Sequence, residues 1–474
     1  MSYRIPDEYY FRIHHIRPRF KGNIENVLIY MATEIARVGI QPRSEFKEEL
    51  NKAIKAFPGN AIAKDKTVDN WRTEISALFG FIITDAHSNT SSPGRRATEL
   101  ANNQDLVASF KTFLYFFQYP GGHLKPQEIL EEIRHGVKFR PASYILKLLT
   151  FAEKQDKQRV GIDKAELTHC VFNDLRVTRD DEPLKNVWTR IKVNRATKVE
   201  YDYQGDVVRY AGDILDYMVI ANLLEARDGL YYLNPLEKEA IQKFLTNLTW
   251  FDGYDTFYNQ QDISPADITN QTERWFQYVN QKLPDDFFAT DVLTFLSSND
   301  KEYELLRNKS IASAKLTEGV EQKDKLSTKQ IGDSGESLVH GHECMRVKIG
   351  GREDLVHLIK LIPTPLAMGY DIHSRELDET SRFIEVKTTI SSRELDFTRI
   401  HLTTNEWMVA ESLGDRYFVY RLLLHKDGAK LYILRNPVRQ YKNDKLQMVP
   451  RDGADITFNP ELCGEYTALL EWED

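Results

Sequence analysis

Three residues in the last quarter of the sequence, Asp371, Glu385 and Lys387, have types and spacing suited to phosphodiester chemistry. In Phe383-Ile384-Glu385-Val386-Lys387-Thr388-Thr389, the residues Phe383, Glu385 and Lys387 recur at every second position. On a strand they share one face while Ile384 and Val386 point to the other, so a carboxylate and an ammonium stand side by side. Asp371 lies in Gly369-Tyr370-Asp371-Ile372-His373-Ser374, and the polar stretch 375–382 lets that segment return as the other arm of a hairpin. Two carboxylates and one lysine then meet at one end of a sheet. Mg²⁺ is a hard cation that takes oxygen ligands and keeps several waters. Asp371, Glu385 and the Val386 carbonyl would therefore hold it without enclosing it, and Mn²⁺ would substitute. Such an ion neutralises charge in the transition state and acidifies a bound water. Lys387 would position that water and stabilise the developing negative charge.

Other candidates are weaker. Glu336 follows Gly335 at the start of an expected helix, where it could add an outer ligand or simply complement the helix dipole. Thr403-x-x-Glu406 has the spacing of a capping box and is read as a cap, not a site. His340 and His342 are two apart and so face different sides of a helix, which makes them surface histidines and not a ligand pair. No Walker A loop, GxGxxG or HNH ligand set is present, which argues against a nucleotide motor in this chain.

The ordered set Gly335-Glu336, Gly369-Tyr370-Asp371-Ile372, Ile384-Glu385-Val386-Lys387-Thr388-Thr389 and Thr403-Thr404-Asn405-Glu406-Trp407 resembles the PD-(D/E)xK nuclease superfamily. More narrowly, it is similar to the NO VEIN-type C-terminal nuclease domain of bacterial restriction and defence proteins. The resemblance covers about 331–424. It implies a restriction-endonuclease-like α/β domain, a Mg²⁺-dependent DNA endonuclease, and catalytic positions at Asp371, Glu385 and Lys387 with Glu336 as the helix acid. Gly-Tyr precedes Asp371 where the superfamily nominally has Pro. A restriction or anti-invader role belongs to the same implication, with a cognate methyltransferase or further defence subunits as partners. One active site cuts one strand, so double-strand cleavage calls for a homodimer, dimerisation on DNA, or two nicks. The alternatives are a nuclease subunit of a larger defence complex and a vestigial nuclease fold that only binds DNA.

The elements that must present this chemistry to DNA lie upstream. Lys185 to Val199 holds Lys185, Arg190, Lys192, Arg195 and Lys198 with no acidic residue, and Asn194 adds a neutral donor. Phosphate contacts from the cations and base-edge contacts from Arg and Asn would make it a DNA-reading ribbon. Within it, Trp188 to Tyr203 alternates apolar and polar residues as a strand would. Two further basic stretches, Arg12/Arg17/Arg19/Lys21 and a loop at Gly94-Arg95-Arg96, compete for that role. A helix over Ala211–Ala226, the break at Gly229 and a short strand over Leu230–Leu233 read as a winged-helix unit.

The whole chain has 474 residues, 41% apolar and 28% charged, with a net charge of −8. That is enough apolar material for several cores and excludes wholesale disorder. The acidic total says little about nucleic acid, because a local basic stretch is hidden in it. Cys170, Cys344 and Cys463 form no CxxC pair, which argues against a disulfide framework or structural zinc and for a reducing, cytoplasmic setting. No run approaches the roughly 18 apolar residues that span a bilayer. No fixed-period repeat is visible. The expected organisation is multidomain α+β: a helical domain over 1–125, a winged-helix-like recognition domain over 126–307, a linker over 308–330 and the nuclease domain over 331–474.

Overall fold

The computed structural model describes residues 2–15, 24–203, 208–284, 287–288, 290, 295, 335–363, 366–395, 399–426, 428–450 and 453–469. The expected linker 308–330 lies outside these residues, as do Arg17, Arg19 and Lys21. The chain divides into two compact units, Met1–Ala289 and Thr290–Asp474.

The first unit contains one topology twice. Helix α1 (Ile24–Val38), strand β1 (Gln41–Pro42), helices α2 (Arg43–Ala56) and α3 (Asp65–Phe79) lead into a hairpin, β2 (Ile82–Asp85) and β3 (Thr90–Pro93). The small antiparallel sheet has the order β1-β3-β2. Helix α4 (Pro141–Asp156), strand β4 (Gly161–Ile162) and helix α5 (Lys164–Leu167) open the second copy. Helices α6 (Leu184–Ala196) and α7 (Arg209–Ile220) follow, then the hairpin of β5 (Leu224–Arg227) and β6 (Leu230–Leu233). Its sheet order, β4-β6-β5, is the same. The second copy carries additional helical segments between α5 and α7, namely Thr168–Phe172, Leu175–Thr178 and α6, and the copies differ in what they do with the helix before the hairpin. On α3, Lys66, Thr67 and Asp69 are exposed and Asn70 is half-buried. On α7, seven residues are buried, and Tyr217 packs against Phe79, Phe110 and Phe113. Residues on both sides of position 125 belong to this one unit.

Three expectations are corrected here. The Trp188–Tyr203 segment is no ribbon: Val187, Trp188 and Ile191 are buried one helical turn apart, and α6 forms around them. The helix expected over Ala211–Ala226 ends at Ile220, and Leu224–Arg227 is the first arm of the hairpin. Gly94 is the N-cap of a helix over Arg95–Asn103, not a loop, and Arg96 is buried with its guanidinium on the Val279 and Gln281 carbonyls.

In the second unit helix α8 (Gly335–Ile349) precedes strands β7 (Lys360–Leu361), β8 (Ile372–Arg375) and β9 (Ser381–Ile390). Strand β10 (Arg399–Thr403) and helix α9 (Thr404–Leu413) then cross to β11 (Tyr417–His425), and β12 (Gly428–Arg435) returns beside it. Strands β13 (Leu446–Pro450), β14 (Gly453–Phe458) and β15 (Glu465–Thr467) complete the unit. The main sheet runs β15-β12-β11-β9-β8-β7, and a second sheet runs β10-β14-β13. Strand β11 is buried along its whole length, as the apolar run YFVYRLLL demands of a central strand. It lies parallel to β9, with Val419 opposite Glu385 and Arg421 opposite Lys387. A parallel pair needs a crossover, and β10–α9 is that crossover. Ile400, Leu402, Ala410, Val419, Ala454 and Ile456 form the core beneath it.

Helix α8 is fixed to the sheet by a buried polar network. Glu343 is fully buried, pairs with Arg346 at 2.8 Å and Arg382 at 3.2 Å, and accepts from Ser374 Oγ at 2.7 Å and the Tyr420 hydroxyl at 2.6 Å. Burial by itself would raise the Glu343 carboxyl, but Arg382 and Arg346 hold it down at about 2. The neighbouring histidines are not at the surface. His342 is buried, which pushes it down to about 4, and His340 lies half-buried against the Ile359 carbonyl at 3.3 Å. Both histidines are covered because the sheet and the 353–358 turn pack on the helix from different sides.

Candidate active site

Asp371, Glu385 and Lys387 converge at the β8–β9 hairpin, as their spacing predicts. Asp371 lies one residue before β8, and its Oδ2 accepts from the Val386 N–H at 2.8 Å. Its own N–H donates to the Ile384 carbonyl at 2.8 Å, so both its backbone and its side chain are registered on β9. Glu385 and Lys387 share a face, and Lys387 Nζ donates to Glu385 Oε1 at 2.6 Å. Burial pushes the Glu385 carboxyl up to about 8 against the pull of Lys387, and the charges of Asp371 and Glu406 add to the rise. The Asp371 carboxyl is also raised by burial, against the pull of the Val386 N–H and Lys387. Burial works to deprotonate Lys387, but Glu385 and Glu406 together hold its ammonium charged.

Glu336 reaches the same neighbourhood from the first turn of α8. Its side chain is exposed at the rim, and crowding on its inner side, followed by the Asp371 charge, raises its carboxyl, with Lys387 opposing. Gly335 makes this approach possible. A Cβ there would stand 1.9 Å from Thr388 Oγ1 on β9, so any larger residue would lift the helix start off the strand.

Two participants escaped the reading from sequence. Glu406 is the cap its spacing suggested: Thr403 Oγ1 accepts from the Glu406 N–H at 3.3 Å, and Glu406 Oε2 accepts from the Thr403 N–H at 3.0 Å. That same Oε2 also accepts from Lys387 Nζ at 2.9 Å, which makes Glu406 a member of the cluster. Burial would raise its carboxyl, but Lys387 and the Thr403 N–H bring it below the usual value. Tyr417 donates to the Gly369 carbonyl at 3.0 Å and ties β11 to the loop before Asp371. The cap spacing carried the signal for Glu406; only the crossover brings it to β9.

The donor set fits a hard divalent cation. Among the described residues Asp371, Glu385, Glu406 and Glu336 gather around one ammonium, that of Lys387, and burial, aided by the neighbouring acids, raises the Glu385 carboxyl. Among the described residues no three acidic, His or Cys side chains stand as a ready-made cage. Mg²⁺ does not require one, because it usually keeps waters and takes one or two carboxylates.

The basic residues of 185–198 are placed differently. Arg190 pairs with Glu182 at 2.7 Å and Asp174 at 3.3 Å, Lys192 with Asp156 at 2.9 Å, and Arg195 with Glu166 at 2.6 Å and the Gly161 carbonyl at 2.7 Å. Asn194 is buried and donates to the Tyr201 hydroxyl at 2.9 Å. Lys185 and Lys198 are exposed. The segment is a helix whose middle cations and Asn194 hold the fold together, with lysines at its two ends.

Residues 3–276 match the family model described as the N-terminal region of the restriction endonuclease BpuJI. This match covers more than half of the sequence. The chain belongs to that family. Residues 343–434 match a second family model, the C-terminal region of protein NO VEIN. Protein NO VEIN of Arabidopsis thaliana is 27% identical over 134 residues, which is 27% of this chain and 5% of the plant protein. The chain thus spans only a small fraction of that relative. A crystal structure of the BpuJI endonuclease binding domain in complex with pyrene- and phenanthrene-modified DNA shares the fold, with a TM-score of 0.51 and 24% identity. The match covers 59% of this chain and all of that one. No helix of the described residues is long and apolar enough to cross a membrane.

Proposed function

We propose that this chain is a Mg²⁺-dependent DNA endonuclease of the restriction type, with a PD-(D/E)xK-like site at Asp371, Glu385 and Lys387. The observation that carries the reading is the surplus of carboxylates around Lys387, which a divalent cation would balance. Asp371 and Glu385 would hold that cation, with Glu336 at the outer rim. The ion supplies charge neutralisation at the scissile phosphate and a more acidic water. The Lys387 ammonium, aimed by Glu385 and Glu406, would orient an attacking water and meet the charge developing on the phosphate oxygens. The Val386 N–H fixes Asp371 so that its second oxygen stays available.

Recognition of double-stranded DNA belongs to the first unit. The order of strands and helices in each of its repeats resembles a winged helix, a helix-turn-helix variant in which the helix before the hairpin would enter the major groove. Of the two such helices, α3 presents Lys66, Thr67 and Asn70, whereas α7 is committed to the core. Asn70 has the bidentate chemistry that reads adenine, and Lys66, with Lys185 and Lys198 elsewhere, has the chemistry that meets phosphate. The relative solved with DNA supports DNA recognition by the first unit.

The test is incubation of the purified chain with methylated and unmethylated duplex DNA in Mg²⁺, Mn²⁺ or EDTA. Cleavage in either metal, absent in EDTA and lost in Asp371→Ala and Lys387→Ala, is the expected result. Cleavage that survives both substitutions would refute the site.

A further inference from the structure

The cap of helix α9 and the lysine of β9 meet through Glu406, and this junction does more than end a helix. Lys387 Nζ is held from two sides, by Glu385 Oε1 at 2.6 Å and Glu406 Oε2 at 2.9 Å. Glu385 is the partner that a cation would engage, because it is also the carboxylate beside Asp371. A cation drawing on Glu385 weakens its grip on the ammonium, and a lysine left with a flexible four-carbon stem has no fixed position. Glu406 stands where it can keep the ammonium in place. Its carboxylate is itself held, since Oε2 also accepts from the Thr403 backbone N–H, a bond that does not depend on the Thr403 side chain, and it is mostly buried.

The same helix also holds the other side of the site. Asn405 Nδ2 donates to the Ala367 carbonyl at 2.9 Å, and Gly369, at φ +75°, lies so close that a Cβ would stand 2.8 Å from Val409. The loop that ends in Asp371 is therefore seated on α9 by the residue next to Glu406. One turn of one helix sets both the ammonium and the loop of the first carboxylate.

We infer that Glu406 is a positioning residue: it holds the Lys387 ammonium at the reacting edge of the site when Glu385 is taken up by a divalent cation, and the Asn405–Glu406 pair aligns the lysine with Asp371. This rests on the nuclease reading for its meaning in catalysis, but the hold on Lys387 is testable without cleavage.

The experiment measures acylation of Lys387 by a water-soluble succinimidyl ester, read by mass spectrometry, in the full chain with and without Ca²⁺ as a hard cation. Wild type should label slowly in both conditions. Glu406→Ala should label on the order of tenfold faster, with the largest gain when Ca²⁺ is present, and Glu406→Gln, which keeps an acceptor oxygen, should fall between. Thr403→Ala removes the hydroxyl of the cap and leaves the carboxylate, so it should lower the melting temperature with little change in Lys387 labelling. In parallel, DNA cleavage by Glu406→Ala should lose about 10–100-fold in kcat with KM nearly unchanged, and Glu406→Gln should recover part of it. Labelling of Lys387 at the wild-type rate in Glu406→Ala would overturn the inference. So would equal acceleration in Thr403→Ala, which would reduce the effect to loosening of the helix. If labelling follows the expected order while wild type never cuts DNA, the positioning role stands and the nuclease reading fails.

Discussion

The β8–β9 cluster and helix α6 both draw attention through charge, and the structure treats their charges in opposite ways. On α6, Arg190, Lys192 and Arg195 each find an acid at salt-bridge distance, two of them with almost fully buried partners, Asp174 and Glu166. At the hairpin, four carboxylates face one ammonium, and burial drives one of them to hold its proton up to about pH 8. The first region has spent its charge on the fold; the second holds charge that the fold does not balance. A run of like charges in a sequence therefore says less about a site than the charge left over after folding.

The largest effect that separates the two regions is catalytic. Lys387→Ala and Asp371→Ala should each lower single-turnover DNA cleavage by about 10³-fold, while Lys192→Ala stays within about threefold of wild type. A similar loss in all three would erase the distinction. Next comes stability. Arg190→Ala removes the cation that Glu182 shares with the buried Asp174, which keeps Arg176 at 2.6 Å, and should cost about 1.5 kcal/mol in urea unfolding. Unchanged stability with weakened DNA binding would return α6 to a recognition role.

The third effect concerns pH. The Glu385 carboxyl ionises near 4.5 when unfolded and at about 8 in the folded chain, so the folded state binds the extra proton across that window. Folding stability should accordingly fall as pH rises through it, by up to about 1.4 kcal/mol per unit, and flatten in Glu385→Gln. The smallest effect is expected at the ends of α6, where Lys185→Ala and Lys198→Ala should each reduce the salt slope of DNA binding by about one unit. No change in slope would confine recognition to the α3 face.

Local spacing made part of this visible in advance. The two-residue period of 383–387 places Glu385 and Lys387 on one face, and the polar turn 375–382 returns Asp371 beside them, because a hairpin is local. Glu406 could be recognised as a cap but not as a member of the site, since its arrival depends on a parallel crossover between β9 and β11. Exposed Val193 gives the α6 sequence an alternating, strand-like pattern, while the contacts that make it a helix, Val187, Trp188 and Ile191 against the core, are tertiary. The repeated topology of the first unit is legible only in part, as the helix, break and strand over 211–233, for a similar reason. It repeats an order of elements and a sheet pairing, and the two helices before the hairpins pack against different sets of neighbours, so their residues have no cause to resemble each other.

The most direct measurement is a Mg²⁺ titration by calorimetry at pH 6, 7 and 8 in buffers of differing ionisation enthalpy. The account predicts one ion per chain, proton release that shrinks toward pH 8, an apparent affinity that rises by up to about tenfold per unit over that range, and loss of binding in Asp371→Ala. Binding that is absent, or that persists unchanged without Asp371 and without proton release, would contradict it.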